Sequence, residues 1–290
     1  MKIAMVSEHA SPLAAIGGVD AGGQNVHVAS LARAIAGHGH EVRVYTRRDD
    51  PDLPDRVPLG DGVTVVHVPA GPAEPIPKDE LLPYMPEFGR WLTADLAADP
   101  ADILHSHFWM SGLAALAAAR DLDLPIVHTY HALGVVKRRH QGNRDTSPPE
   151  RVDAETVIGR NVDAVIATSG DEVTELLRMR VPRRRAWVVP CGVDTELFTP
   201  SAQRVPGRII AIASADVPLK GVSHLLHAVS RLRGKRNVEL QLVSKLEPNG
   251  PTAKLIAELG ISDIVTASSG LSDEELARLL ASAEGACIPS

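Results

Sequence analysis

Two histidine pairs and a glycine-rich loop are the parts of this sequence best suited to chemistry. His105 and His107 sit two apart in LHSH (104–107). That spacing places both rings on one face of a strand, and it is also a spacing of metal ligands. A hydrolytic metal centre there would need further histidines or carboxylates converging from elsewhere in the chain. His128 and His131, three apart in IVHTYH, close a second apolar run, and His131 stands at its end. Open α/β sheets keep their ligands at such strand ends, whereas His128 reads as structural. In GGVDAGGQNVHV (17–28), four glycines and Asp20 precede a helix that begins near Gly23 and Gln24. A helix start offers unpaired N–H groups and a positive dipole end to an anion, and glycine lets backbone approach a phosphate or sugar closely. The spacing is not G-x-G-x-x-G, and the next strand ends in YTRR without an acidic residue for a ribose. A dinucleotide site is therefore not expected. Lys78 and Arg151 are isolated cations that, taken singly, read as solvated surface.

The framework carrying these residues can be read from apolar runs of strand length at 3–7, 42–46, 63–68, 102–107, 126–131, 164–169 and 186–192. Segments of helical period lie between them, among them 111–122 and 169–180. Strands apolar on both faces, alternating with helices, predict an α/β fold with a parallel sheet covered by helices. The pattern restarts with strands at 208–214, 238–244 and 264–270 and helices at 221–234, 252–260 and 272–283. Ser272 with Glu275 forms a capping-box signature for the last helix. The polar, proline-bracketed stretch 198–207 reads as a hinge between two Rossmann-like units that face each other, 1–200 and 201–290. The second unit is short and stops at GACIPS.

Bulk properties exclude several classes. The 290 residues are 44% apolar and 23% charged, the balance of a globular protein, and three each of Trp, Tyr and Phe leave the core to aliphatic side chains. A net charge of −6 gives no basic field for nucleic acid, and Arg183–Arg185 reads as a solvated turn. Cys191 and Cys287 are too few for a disulfide framework and fit a reducing cytoplasm. No apolar run reaches the roughly 18 residues of a membrane span, and MKIAMVSEH is strand-like with no secretory signal, so a cytoplasmic protein is expected.

In order along the chain, HASPLAAIGGVDAGGQNVHV (9–28), LHSHFWMSG (104–112), IVHTYHALGVVK (126–137), VIATS (165–169) and VVPCGVDTELFTP (188–200) resemble the family 4 retaining glycosyltransferases. Within that family the likeness is to the inositol-phosphate glycosyltransferases and, next, to the sucrose-phosphate synthases. The likeness covers essentially residues 1–200, and SADVPLKGVSHLLHAV (214–229) with SDEELARLLASAEGACIPS (272–290) resembles the donor domain of the same family. The resemblance implies a GT-B fold and transfer from an NDP-sugar, a UDP- or GDP-sugar, to an acceptor hydroxyl with retention, without a cofactor or bound metal. It implies that Gly22 and Gly23 meet the donor, that Lys220 neutralises its diphosphate, and that His131 touches the donor sugar near the reacting centre as the catalytic residue. His9, Asp20 and Asn25 would contact the acceptor, with Lys78 and Arg151 gripping its phosphate.

Phe108 and Ala132 stand where the inositol-phosphate branch has a tyrosine and a threonine, so two hydroxyl donors are missing from that acceptor site. Ala215 stands where the family commonly has an arginine, with Arg208 or Lys245 as candidate replacements. The family's E-x7-E donor segment would follow Ser290, so the resemblance implies an incomplete second domain. The expected partners are a nucleotide-sugar donor and a small polar or phosphorylated acceptor, with homodimer formation left open. Two other classes remain: a non-catalytic sugar-phosphate-binding fragment and, more distantly, a metal-dependent hydrolase.

Overall fold

The structure, a computed structural model, describes residues 1–14 and 22–289, with Leu219 described in its backbone alone. Two compact units divide the described chain, one ending at Cys191 and the other beginning at Gly192. The strands of the first unit are β1 (Lys2–Val6), β2 (Glu41–Arg47), β3 (Arg56–Gly60), β4 (Val63–Val68), β5 (Ile103–His107), β6 (Ile126–Thr129), β7 (Ala164–Ala167) and β8 (Ala186–Val188). Its helices are α1 (Gly23–Gly37), α2 (Met85–Ala98), α3 (Trp109–Leu122), α4 (Gly134–Gln141), α5 (Arg151–Asn161) and α6 (Gly170–Arg178).

These strands form one sheet in the order β3-β4-β2-β1-β5-β6-β7-β8. All neighbours run parallel except β3, which pairs antiparallel with β4. The expectation of a parallel sheet is corrected at that edge: β4 follows β3 through the short turn Asp61–Gly62, and so short a link can join only antiparallel neighbours. Alternate residues of β1 explain why the run is apolar throughout. Ala4 and Val6 pack into the larger core with Phe88, Leu92 and Trp109, while Ile3 and Met5 pack on the other face with Val28 and Ala32 of α1.

Strand order places the functional end. From β1 the chain builds outward through β2 and β4, then returns to the opposite side of β1 with β5. The order reverses between β1 and β5, and the crevice beyond the carboxyl ends of those strands is the ligand position of such sheets.

The second unit contains β9 (Arg208–Ile212), α7 (Val222–Leu232), β10 (Glu239–Val243), α8 (Pro251–Glu258), β11 (Val265–Ser268), α9 (Asp273–Ser282) and β12 (Gly285–Ala286). Its sheet runs β11-β10-β9-β12, all parallel, over a core of Leu226, Leu240, Leu242 and Ile261. The Ser272–Glu275 capping box opens α9 as expected, with Ser272 Oγ accepting from the Glu275 N–H at 3.2 Å. No helix among the described residues is long and apolar enough to cross a membrane.

Candidate active site

The crevice of the first unit is built from the segments that leave β1, β5 and β6 and from the start of α1. After β5 the backbone of Phe108 turns through φ 75°, and after β6 that of His131 turns through φ 61°. Positive φ costs a non-glycine residue roughly 1–3 kcal/mol and clusters at working sites. Both turns are pinned: Phe108 donates its N–H to Thr129 O at 2.9 Å, and Ala132 donates to Tyr130 O at 2.7 Å across His131.

Phe108 is where three of the residues expected to hold the acceptor meet. The His9 ring meets it edge-on at 4.9 Å between centroids. Lys78 Nζ lies 5.9 Å and the Arg151 guanidinium 5.0 Å from the same ring centroid. Residues spread from 9 to 151 thus converge on one aromatic platform. Lys78 is exposed, in the short turn Lys78–Glu80. Arg151 is buried and already engaged: Nε donates to Glu155 Oε1 at 2.8 Å, and its terminal nitrogens donate to Ala132 O at 2.7 Å and Ser147 Oγ at 3.2 Å. A guanidinium carries about five N–H groups, so donors remain for an anion. Burial pushes the Glu155 carboxyl up, against the pull of Arg151.

His9 is oriented by a residue that motif reading passes over. The buried Glu8 carboxylate takes His9 Nδ1 at 2.7 Å, and its other oxygen accepts from Ser111 Oγ. Asn25 has both polar atoms committed to the loop: Oδ1 accepts the Gly22 N–H at 2.9 Å and Nδ2 donates to Ser11 O at 3.0 Å. Asn25 thus ties Gly22 to Ser11, with one N–H of its amide left over. Asp20 lies outside the described residues. Among the described residues, a Cβ at Gly22 or Gly23 would meet nothing within 4 Å.

The histidines occupy the floor. His107 Nδ1 faces His131 Nε2 at 2.9 Å, and His27 of α1 meets His131 edge-on at 5.0 Å. His105 is paired elsewhere, with Thr129 Oγ1 at 2.9 Å. His128 is locked to Ser106 Oγ at 2.8 Å, under Gly112, where a Cβ would come within 2.9 Å of its ring. Burial holds these rings neutral. It pushes His105 down to about 4 and His131 to about 3, each also disfavoured by neighbouring histidines. It takes His107 and His128 well below the ordinary value and lowers His27 too. A cleft of about 590 Å³ opens beside His131, lined by Leu133, Val136, Arg139, Thr168 and Glu172.

In the second unit the strand order reverses between β9 and β12, and Lys220 ends the turn Pro218–Lys220 that follows β9. Lys220 is exposed. Gly221 beside it takes φ 63°, and a Cβ there would run into the carbonyl of Pro289. Arg208 does not replace the missing arginine. It stands at the opposite end of β9, bonded to Glu239 at 3.1 Å and Ser282 at 3.0 Å. Lys245 follows β10 at the same end as Lys220 and pairs with Glu247 at 3.2 Å.

Glycosyltransferase Family 4 matches the chain over residues 21–197. The MMP alpha-(1->4)-mannosyltransferase of Mycolicibacterium hassiacum is 43% identical over 300 aligned positions, 93% of this chain and 72% of that protein. The D-inositol 3-phosphate glycosyltransferase of Stackebrandtia nassauensis is 34% identical, over 100% of this chain and 71% of its own. Among solved structures, sucrose-phosphate synthase from Thermosynechococcus elongatus aligns at a TM-score of 0.89 and 29% identity, over 100% of this chain and 75% of that one. HepE of Anabaena in complex with UDP and glucose shares the fold at a TM-score of 0.69 and 15% identity, over 99% of this chain and 73% of its own. The chain belongs to glycosyltransferase family 4 and is a glycosyltransferase with the α/β architecture of the GT-B enzymes.

Proposed function

We propose that this glycosyltransferase moves a sugar, with retention, from a nucleoside-diphosphate sugar to a hydroxyl of a phosphorylated polyol or sugar. The observation that carries the acceptor class is the convergence of His9, Lys78 and Arg151 on the Phe108 ring. Two cations over an apolar face suit a ligand with a phosphate at one end and a ring at the other. The donor class is supported by the UDP and glucose bound to HepE and by the position of Lys220 at the switch point of the second sheet. Relatives named for inositol 3-phosphate and for mannosyl transfer fit the same general class.

In this mechanism Lys220 stabilises the departing diphosphate, and the acceptor hydroxyl attacks the sugar from the face that the diphosphate leaves. His131 is neutral, so it serves the donor sugar as a hydrogen-bonding group, not as a cation or an acid. No protein nucleophile is assigned.

Calorimetry with a phosphorylated polyol such as inositol 1-phosphate tests the acceptor site. Lys78→Ala removes one charge-assisted bond and should weaken binding about tenfold or more, while inositol itself binds poorly to both proteins. Equal affinity for inositol and its phosphate, or an unchanged affinity in Lys78→Ala, would overturn the assignment. Lys78 is the cleaner choice because truncating Arg151 also strands the buried Glu155.

A further inference from the structure

Three histidines from three elements meet in the crevice. His27 comes from α1, His107 ends β5 and His131 follows β6. One nitrogen from each lies within 4.8 Å of the other two. A tetrahedral cation with bonds of about 2.0–2.1 Å sets its nitrogens about 3.3 Å apart, so small side-chain adjustments close this cluster onto one ion. Two facing nitrogens, those of His107 and His131, already stand 2.9 Å apart. A second observation is independent of that spacing. The ring of His107 is wholly buried and bonds no carboxylate or backbone group through the nitrogen that faces His131; its other nitrogen, Nε2, has no hydrogen-bond partner among the described residues, so no second bond fixes the ring's tautomer.

We propose that His27, His107 and His131 form a binding site for one zinc-class dication. The donor set selects the metal. Imidazole nitrogen suits Zn2+ and its first-row neighbours, whereas Mg2+ and Ca2+ require oxygen ligands, and no carboxylate belongs to the cluster among the described residues. Cys191 Sγ lies 3.8 Å from His27 Nδ1 at the exposed rim, outside the three-nitrogen set. An ion held here occupies the imidazole of His131. Free Zn2+ then inhibits transfer, and a chelator restores it; this consequence alone rests on the placement of His131 beside the donor sugar.

The test is a Co2+ titration of the chelator-stripped 290-residue protein, followed by visible absorption and calorimetry. One equivalent should bind with ligand-field bands, be displaced by Zn2+ and be unaffected by excess Mg2+. His27→Ala, at a half-buried surface position, and His131→Asn should each weaken binding by at least about tenfold, the loss that even an outer-shell deletion causes. Cys191→Ser should bind within about threefold of the parent, because the thiol is not one of the three ligands. Absence of bands at one equivalent, competition by Mg2+, or parent-like binding in both histidine variants would overturn the site. Loss of binding in Cys191→Ser to the level of His27→Ala would move the site to the thiol and equally overturn it. Tight Co2+ binding without Zn2+ inhibition of transfer would leave the metal site standing and refute the placement of His131.

Discussion

Burial holds His27, His105, His107, His128 and His131 below the ordinary histidine pKa. The unfolded chain protonates these rings near pH 6.5, whereas the folded protein resists down to about 4 at His105 and about 3 at His131. Above pH 6.5 neither state takes up these protons, and stability has its full value. As pH falls below that, the unfolded state binds protons that the folded state refuses. Each deeply shifted ring then removes up to about 1.4 kcal/mol of stability per pH unit. Thermal melts of metal-free protein in chelator should therefore show Tm falling steadily from pH 7 to 5.5. The ring resonances of His131 should show no midpoint near pH 6.5 over the same range. A flat Tm, or a normal His131 titration, would contradict the buried neutral cluster. Residues carried in motifs were legible in the sequence, and the structure brings Lys78 and Arg151 to 5.9 Å and 5.0 Å from the Phe108 ring centroid. Glu8, Glu155 and His27 were not legible, because their meaning lies in partners far along the chain, such as Ser111 at 103 residues from Glu8.

The glycine loop ahead of α1 can be tested as an element. Gly22 has an ordinary extended backbone, φ −121°, and a Cβ at Gly23 would meet no atom of the described residues within 4 Å. Gly23→Val should therefore keep the melting temperature within about 1–2 °C, as an uncrowded surface substitution does, and still abolish donor or acceptor binding by blocking approach to the backbone. Loss of both together would assign the glycine to the fold. The elements hidden from periodicity have identifiable causes. In α5 the core-facing positions one turn apart are Arg151 and Glu155, an ion pair at 2.8 Å, so the apolar stripe of a helix is broken by the site itself. In α2 an early proline and Gly89 interrupt the pattern. The gap left by Gly89 is taken by α3, with Ala114 O about 3.4 Å from where a Cβ would sit. The strands β1, β2, β4 and β5 were legible because burial on both faces leaves unbroken apolar runs.

For the molecule as a whole, two sheets on one chain, parallel but for the β3 edge of the first, each put candidate residues at a reversal of strand order: His9, Phe108 and His131 in the first unit, Lys220 in the second. The chemistry we propose for this chain is transfer from a nucleotide-sugar to a phosphorylated acceptor with the anomeric configuration kept. The direct measurement incubates the protein with a panel of UDP-, GDP- and ADP-sugars and a phosphorylated polyol or sugar. It follows nucleoside-diphosphate release and reads the anomeric configuration of the product by NMR. The expected result is release from one donor that depends on the acceptor's phosphate, is lowered at least about tenfold in Lys220→Ala, and yields a product with the donor's configuration. An inverted product, or release indifferent to both the acceptor phosphate and Lys220, would contradict the account.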